Sequence, residues 1–228
     1  MRTDTGAPLK VGLMVPINNT TMESEMLGWL PPGSTCVTQR IPRGQGLLTA
    51  ETMPAYLAKA LALAAEFPKD IDVVAYGCTA AGFIAGPEGE AKLAEQLADI
   101  TGKPVVTTAR SMVSVLQVLG ARRIALVTPY SDMVNRSLMR FLTDGDISVN
   151  RLSTFNAPDV DALGRITAEE VDQRARETMA TDCDALFIAC SQLPTQKILA
   201  PLQRDLGRPA WSSIRATAWS ARQAVAAP

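Results

Sequence analysis

The chain has 228 residues, 47% of them apolar, with 22 basic side chains against 23 acidic ones and no histidine. That length and apolar content suit one large domain or two small lobes. The near-zero net charge, with both signs interspersed, leaves no basic stripe for nucleic acid, and no apolar run approaches the length that spans a bilayer.

In chain order, the first ten residues mix polar and apolar types and lack the apolar centre of a secretory signal. The expectation is therefore a cytoplasmic protein whose four cysteines are free thiols. Residues 11–16 predict the first strand and residues 35–38 a second. Thr49 is placed to cap a helix over 49–67, rich in alanine and leucine. Residues 72–76 read as a buried strand, 88–100 as a helix, 104–107 as a short strand, and 111–119 as a helix stopped by Gly120. This alternation predicts an α/β fold with a mostly parallel sheet.

The second half repeats the scheme. Residues 123–129 mirror 10–16, Ser131 can cap a helix over 132–142, and Thr167 with Glu170 spells a capping box. Residues 184–189 mirror 72–76. The segment from Gly102 to Arg110 aligns with that from Gly207 to Arg215, Gly-Lys-Pro matching Gly-Arg-Pro. An internal duplication follows: two similar pseudosymmetric lobes, each a mostly parallel sheet flanked by helices, with the active site between them. The first lobe is expected over residues 1–112, completed by 212–228, and the second over 113–211.

Cys78 and Cys190 end equivalent apolar runs. Ligands of parallel sheets bind beyond the carboxyl ends of the strands. Two lobes facing each other would thus bring the two sulfurs to opposite sides of one cleft. A strand-end cysteine can also be a small buried hydrophobe. Cys36 and Cys183 have no counterpart in the other half and are assigned to packing. No Cys-x-x-Cys occurs, so no metal is expected. There is no G-x-G-x-x-G after a strand and no Walker lysine loop, so no nucleotide cofactor is expected either.

Residues 16–23 turn from a strand end toward a helix N-terminus, where unpaired amides favour an anion. Asn19, Thr20 and Thr21 add side-chain donors there, though Asn19 or Thr20 could simply cap the helix. Tyr130 lies in the equivalent loop and could offer its hydroxyl to a carboxylate or an enolate. The loops carrying Thr79 and Ser191-Gln192 supply amides that would stabilise a thiolate. Residues 41–46, with two glycines, are a candidate lid.

The motif V-P-x-x-N-T-T-M-E from Val15 to Glu23, with Gly77-Cys78-Thr79, Thr128-Pro129-Tyr130 and Cys190-Ser191, resembles the Asp/Glu racemase superfamily, and within it most closely the maleate cis-trans isomerases. The resemblance covers nearly the whole chain. It implies cofactor-independent chemistry on a small dicarboxylate or amino acid, with Cys78 as nucleophile, Cys190 as its partner, and Asn19 and Tyr130 on the substrate. It also implies a homodimer. The isomerases place a further substrate-binding asparagine between the tyrosine and the second cysteine. Counted from Tyr130, that place falls near Val160; Asn156, four residues earlier, is the candidate substitute, and Arg165 is a nearby cation.

Four activities are open at this level. One is cis-trans isomerisation of maleate by addition of a Cys78 thiolate, whose pKa helix N-termini and amides would have to lower. The second is racemisation of aspartate, glutamate or a hydantoin by two opposing thiols. The third is decarboxylation of an arylmalonate, a reaction whose relatives lack the first cysteine. The fourth is non-catalytic binding of a small acid.

Overall fold

Long apolar runs suit strands covered on both faces. The computed structural model, which describes residues 6–43, 46 and 48–226, contains two four-stranded parallel sheets. The first half runs β1 (Lys10–Pro16), α1 (Met22–Trp29), β2 (Thr35–Ile41), α2 (Met53–Ala64), β3 (Val73–Tyr76), α3 (Thr79–Ile84), α4 (Gly86–Thr101), β4 (Val105–Thr107) and α5 (Thr108–Val118). The second runs β5 (Arg123–Thr128), α6 (Asp132–Asp144), β6 (Ser148–Thr154), α7 (Val160–Gly164), α8 (Ala168–Thr178), β7 (Ala185–Ile188), α9 (Leu199–Leu206), β8 (Ala210–Ser212) and α10 (Ser213–Ala226).

The strand orders are β2-β1-β3-β4 and β6-β5-β7-β8, the same order twice. β3 and β7 are buried along their whole length. Fine detail repeats as well. The Asp72 carboxylate accepts the Lys10 amide at 2.7 Å, and the Asp184 carboxylate accepts the Arg123 amide at 2.9 Å. Gly102 and Gly207 end α4 and α9 with φ of 67° and 61°, a left-handed conformation that costs glycine little. The Thr107 and Ser212 hydroxyls then accept the amides of Arg110 and Arg215 at the starts of α5 and α10. These two helices pack against each other, and Ile214, Ala218 and Ala221 of α10 share a core with Val11 and Leu13 of β1.

Several boundaries differ from the sequence expectation. The helix after Thr49 begins only at Met53, because Thr49 and Thr52 bond each other in a preceding turn and Pro54 suits a first helical turn. It ends at Ala64 rather than Phe67. α5 starts three residues before Ser111, since Thr107 already caps it. Ser131 holds the cap position of α6, yet its hydroxyl makes no capping bond. The capping box forms as expected: Glu170 accepts the Thr167 amide at 2.8 Å and Thr167 accepts that of Glu170 at 3.2 Å. α3, β6, α7 and α9 had no sequence expectation.

Candidate active site

Parallel pairing delivers the C-terminal ends of β1, β3, β5 and β7 to one side of their sheets. Cys78 and Cys190 each stand two residues past such an end, on β3 and β7. Both line one cavity of about 60 Å³, with Asn19, Thr79, Tyr130, Ser191 and Gln192 on its polar side. Leu48, Val134, Val160 and Leu163 form its apolar side, and Arg43 is the one cation among the described lining residues. Both thiols are buried, 4% and 6% exposed. All four cysteines are free thiols, and neither Cys36 nor Cys183 lines the cavity.

The two sulfurs are held differently. Cys78 is the cap residue of α3, and the amides of Ala80 and Ala81 point at its sulfur. The Tyr56 hydroxyl faces the same atom, and the Arg43 charge lies near it. Cys190 is followed by a turn instead of a helix. Its sulfur accepts the Gln192 amide at 3.4 Å, with the Leu193 amide and the Tyr130 hydroxyl also facing it. The expectation of thiols acidified by helix ends and amides is corrected here. Burial outweighs these donors, so both thiols lie above their ordinary pKa range. Burial also raises Tyr56 and Tyr130, which keeps both phenols protonated as donors.

Tyr130 packs edge-on against Phe83, ring centroids 5.5 Å apart. Its main-chain carbonyl accepts Asn135 Nδ2 at 3.0 Å, which fixes the loop. Its hydroxyl is buried without a well-aligned partner, as is that of Thr79, which it faces. These two hydroxyls therefore keep hydrogen-bonding capacity that no well-aligned protein partner uses.

Asn19 is buried and does two jobs. Its Oδ1 accepts the amides of Thr21 and Met22, capping α1, and its Nδ2 donates to the Ser191 carbonyl and hydroxyl at 3.1 and 3.2 Å. Thr20 is exposed and does not line the cavity. It clasps Gln192: its amide donates to Oε1 at 3.0 Å and its hydroxyl accepts Nε2 at 2.9 Å. The Asn19-Thr20 and Ser191-Gln192 loops thus tie the two halves together beside the sulfurs. A second tie is the buried Glu25, whose carboxylate accepts the Thr195 amide at 2.7 Å and hydroxyl at 2.9 Å.

Two of the expected substrate contacts, Thr20 and Asn156, lie off the cavity lining. Asn156 does not reach the cavity: it sits exposed in a left-handed turn, φ 47°, and Val160 at the start of α7 lines the wall. Arg165 is exposed and off the lining. Of the candidate lid, Gly44 and Gln45 lie outside the described residues. Sequence reasoning missed Arg43, Leu48, Tyr56, Val134 and Leu163. A signal for Tyr56 did exist: it shares the buried stripe of α2 with Ala60 and Ala64, a lone polar tip on an alanine face.

Among the described residues, no group of three Cys, Asp or Glu side chains could hold a metal ion, and no helix is long and apolar enough to cross a membrane. A duplicated parallel α/β fold with a cysteine beyond each equivalent strand defines an enzyme of the Asp/Glu racemase superfamily, close to the maleate isomerases. More narrowly, the chain belongs to the arylmalonate decarboxylase family, whose model matches residues 43–228. It is 29% identical to the maleate isomerase of Nocardia farcinica, over 96% of this chain and 91% of that protein. It is 31% identical to the arylmalonate decarboxylase of Bordetella bronchiseptica, over 78% of this chain and 75% of that one. Among solved structures, a mutant Nocardia farcinica maleate cis-trans isomerase with a covalently bound succinylcysteine intermediate superposes with a TM-score of 0.87 at 25% identity, covering 97% of this chain and 94% of that one.

Proposed function

We propose that the protein is a cis-trans isomerase of maleate or a close cis-butenedioate, working through covalent addition of Cys78. The observation that carries this reading is the meeting of two cysteines, from equivalent strand ends, in one small cavity. The Cys78 thiolate adds to one alkene carbon, and the electron pair moves into the adjacent carboxylate as an enediolate. Tyr130, Thr79 and the loop amides are the donors that stabilise that charge. Cys190, across the cavity, delivers its proton to the second carbon and leaves a succinyl group on Cys78. The former double bond is now single and rotates. Cys190 takes the proton back, the carbon–sulfur bond breaks, and fumarate leaves with Cys78 again a thiolate. The succinylcysteine held by the Nocardia mutant is the species this route places on Cys78.

A second reading is favoured by specific observations. The family model is that of the decarboxylases, and Leu48, Val134, Val160 and Leu163 form an apolar wall suited to an aryl group. Against it stands the size of the cavity, which has room for about four to six waters by the measure that assigns one water about 10–15 Å³. That suits a four-carbon diacid better than an arylmalonate. Proton NMR of maleate with purified protein and no added metal or cofactor tests the first reading; fumarate is the expected product. Carbon dioxide from phenylmalonate without fumarate from maleate would replace it with the second. Deuterium entering an α-carbon of aspartate or glutamate would point to a racemase.

A further inference from the structure

Tyr56 belongs to no part of the chemistry above, yet it sits against the sulfur that carries it. The side chain is 3% exposed, and its hydroxyl is buried without a well-aligned partner in the protein. A buried hydroxyl left so is costly unless something completes it. The atom it faces is Cys78 Sγ, and both residues belong to the same core cluster. Across the cavity, the Tyr130 hydroxyl faces Cys190 in the same way. The duplication therefore presents two tyrosine–cysteine pairs, although Tyr56 comes from a helix and Tyr130 from a loop.

We propose that Tyr56 is a positioning residue of this site: its O–H donates to the Cys78 sulfur and stabilises the thiolate that attacks the alkene. The inference deepens the isomerase reading and rests on it for the attack step. A neutral phenol suits the role, because it remains a donor at every pH where the sulfur ionises. The other titratable groups facing Cys78 are Arg43 from the segment after β2, Tyr76 at the end of β3, and Tyr130 and Cys190 from the opposite wall. Arg43 acts in the same direction as Tyr56 by charge. Tyr76 is fully buried on the strand and its hydroxyl, like that of Tyr56, has no well-aligned partner. Among these groups, Tyr56 contributes the neutral hydroxyl that faces this sulfur.

The test reads the sulfur directly. Intact Tyr56→Phe protein is treated with iodoacetamide across a pH series, and carbamidomethylation of the Cys78 peptide is timed by mass spectrometry. The ring stays, so the fold keeps its packing, and equal thermal melting of the two proteins checks this. Loss of a donor to a charged acceptor should move the Cys78 profile up by about one pH unit and slow labelling at neutral pH about tenfold. Tyr130→Phe, the comparison variant, should shift the Cys190 peptide more than that of Cys78. With maleate, Tyr56→Phe should lower kcat with little change in KM. An unmoved Cys78 profile in Tyr56→Phe, or an equal shift of it in Tyr130→Phe, overturns the proposal. A shifted profile in a protein whose wild type leaves maleate untouched keeps the role of Tyr56 and sinks the substrate assignment instead.

Discussion

The two walls of the cavity descend from one plan and have diverged in charge. On the first, Cys78 caps α3, with two amides and the Tyr56 hydroxyl facing its sulfur and the Arg43 charge near it. On the second, Cys190 begins a turn, with two amides and the Tyr130 hydroxyl facing its sulfur. Each sulfur therefore has a phenol and two amides; among the described residues, the Arg43 charge acts on the first. That difference suits a reaction needing one nucleophile and one acid. A racemase that works both faces of a carbon with interchangeable bases would gain from equal walls. The duplicated fold supplies the pair, and the segments after its strands set what surrounds each sulfur.

The largest effects should come from removing the sulfurs, and they should be unequal in kind. Cys78→Ala should abolish isomerisation, by about a thousandfold or more, because it removes the sulfur that adds to the alkene. Fumarate formation followed by NMR measures this, and an active variant would defeat the assignment of the nucleophile. Cys190→Ser keeps the nucleophile and weakens only proton delivery and return, so a loss on the order of a hundredfold is expected. In that variant, maleate should leave a succinyl group on the Cys78 peptide, detectable by mass spectrometry. Labelling on Cys190 in the reciprocal Cys78→Ser variant would reverse the roles of the two walls.

A smaller effect concerns pH. Both folded thiols are raised above their ordinary range by burial. A raised acid keeps its proton to higher pH, so at neutral pH the Cys78 thiolate is scarce. The rate should climb about tenfold per pH unit until Cys78 ionises, then fall as Cys190 loses the proton it must donate. A kcat/KM profile flat from neutral to alkaline pH would contradict this. The same shift has a consequence for stability. A folded pKa raised above the unfolded one stabilises the fold below the unfolded value, and this contribution is lost as pH rises through the folded value. Urea midpoints should therefore decline on the alkaline side, less so in a Cys78→Ala, Cys190→Ala double variant.

How far these walls could be read from the sequence depends on the range of the signal. The strand-end positions of Cys78 and Cys190 were legible, because a buried run followed by small polar residues is a local pattern. The duplicated architecture was legible for the same reason, the Gly-x-Pro strand starts repeating in order. Helix α3 was not: a six-residue segment with an internal glycine carries no periodicity. Tyr56 and Arg43 lie 22 and 35 positions before Cys78, and only the folded chain brings them to it. Asn156 misled because distance along the sequence says nothing of direction. A left-handed turn whose amide donates to the Thr154 hydroxyl holds it in solvent, and α7 brings Val160 to the wall instead. The direction of the thiol shift was misjudged because donors are local and readable, whereas burial is a sum over the whole fold.

Val160 offers the finest distinction between the walls. It lines the cavity from the second half of the chain, 6% exposed, and offers nothing to a carboxylate. If the natural substrate carries two carboxylates, the one on this side is bound only by groups already present, namely Tyr130 and the loop amides. Val160→Asn adds a donor at that place. It should improve kcat/KM for maleate several-fold, up to about tenfold, mainly through KM, the gain expected from one added hydrogen bond to an anion. The polar amide in a buried spot should cost about 1 kcal/mol of stability, read from urea unfolding. If Val160→Asn instead lowers activity on maleate while the fold is retained, the apolar wall is itself part of recognition. The substrate would then carry an apolar group where maleate carries a hydrogen or a second carboxylate, and methylmaleate would be the compound to compare next.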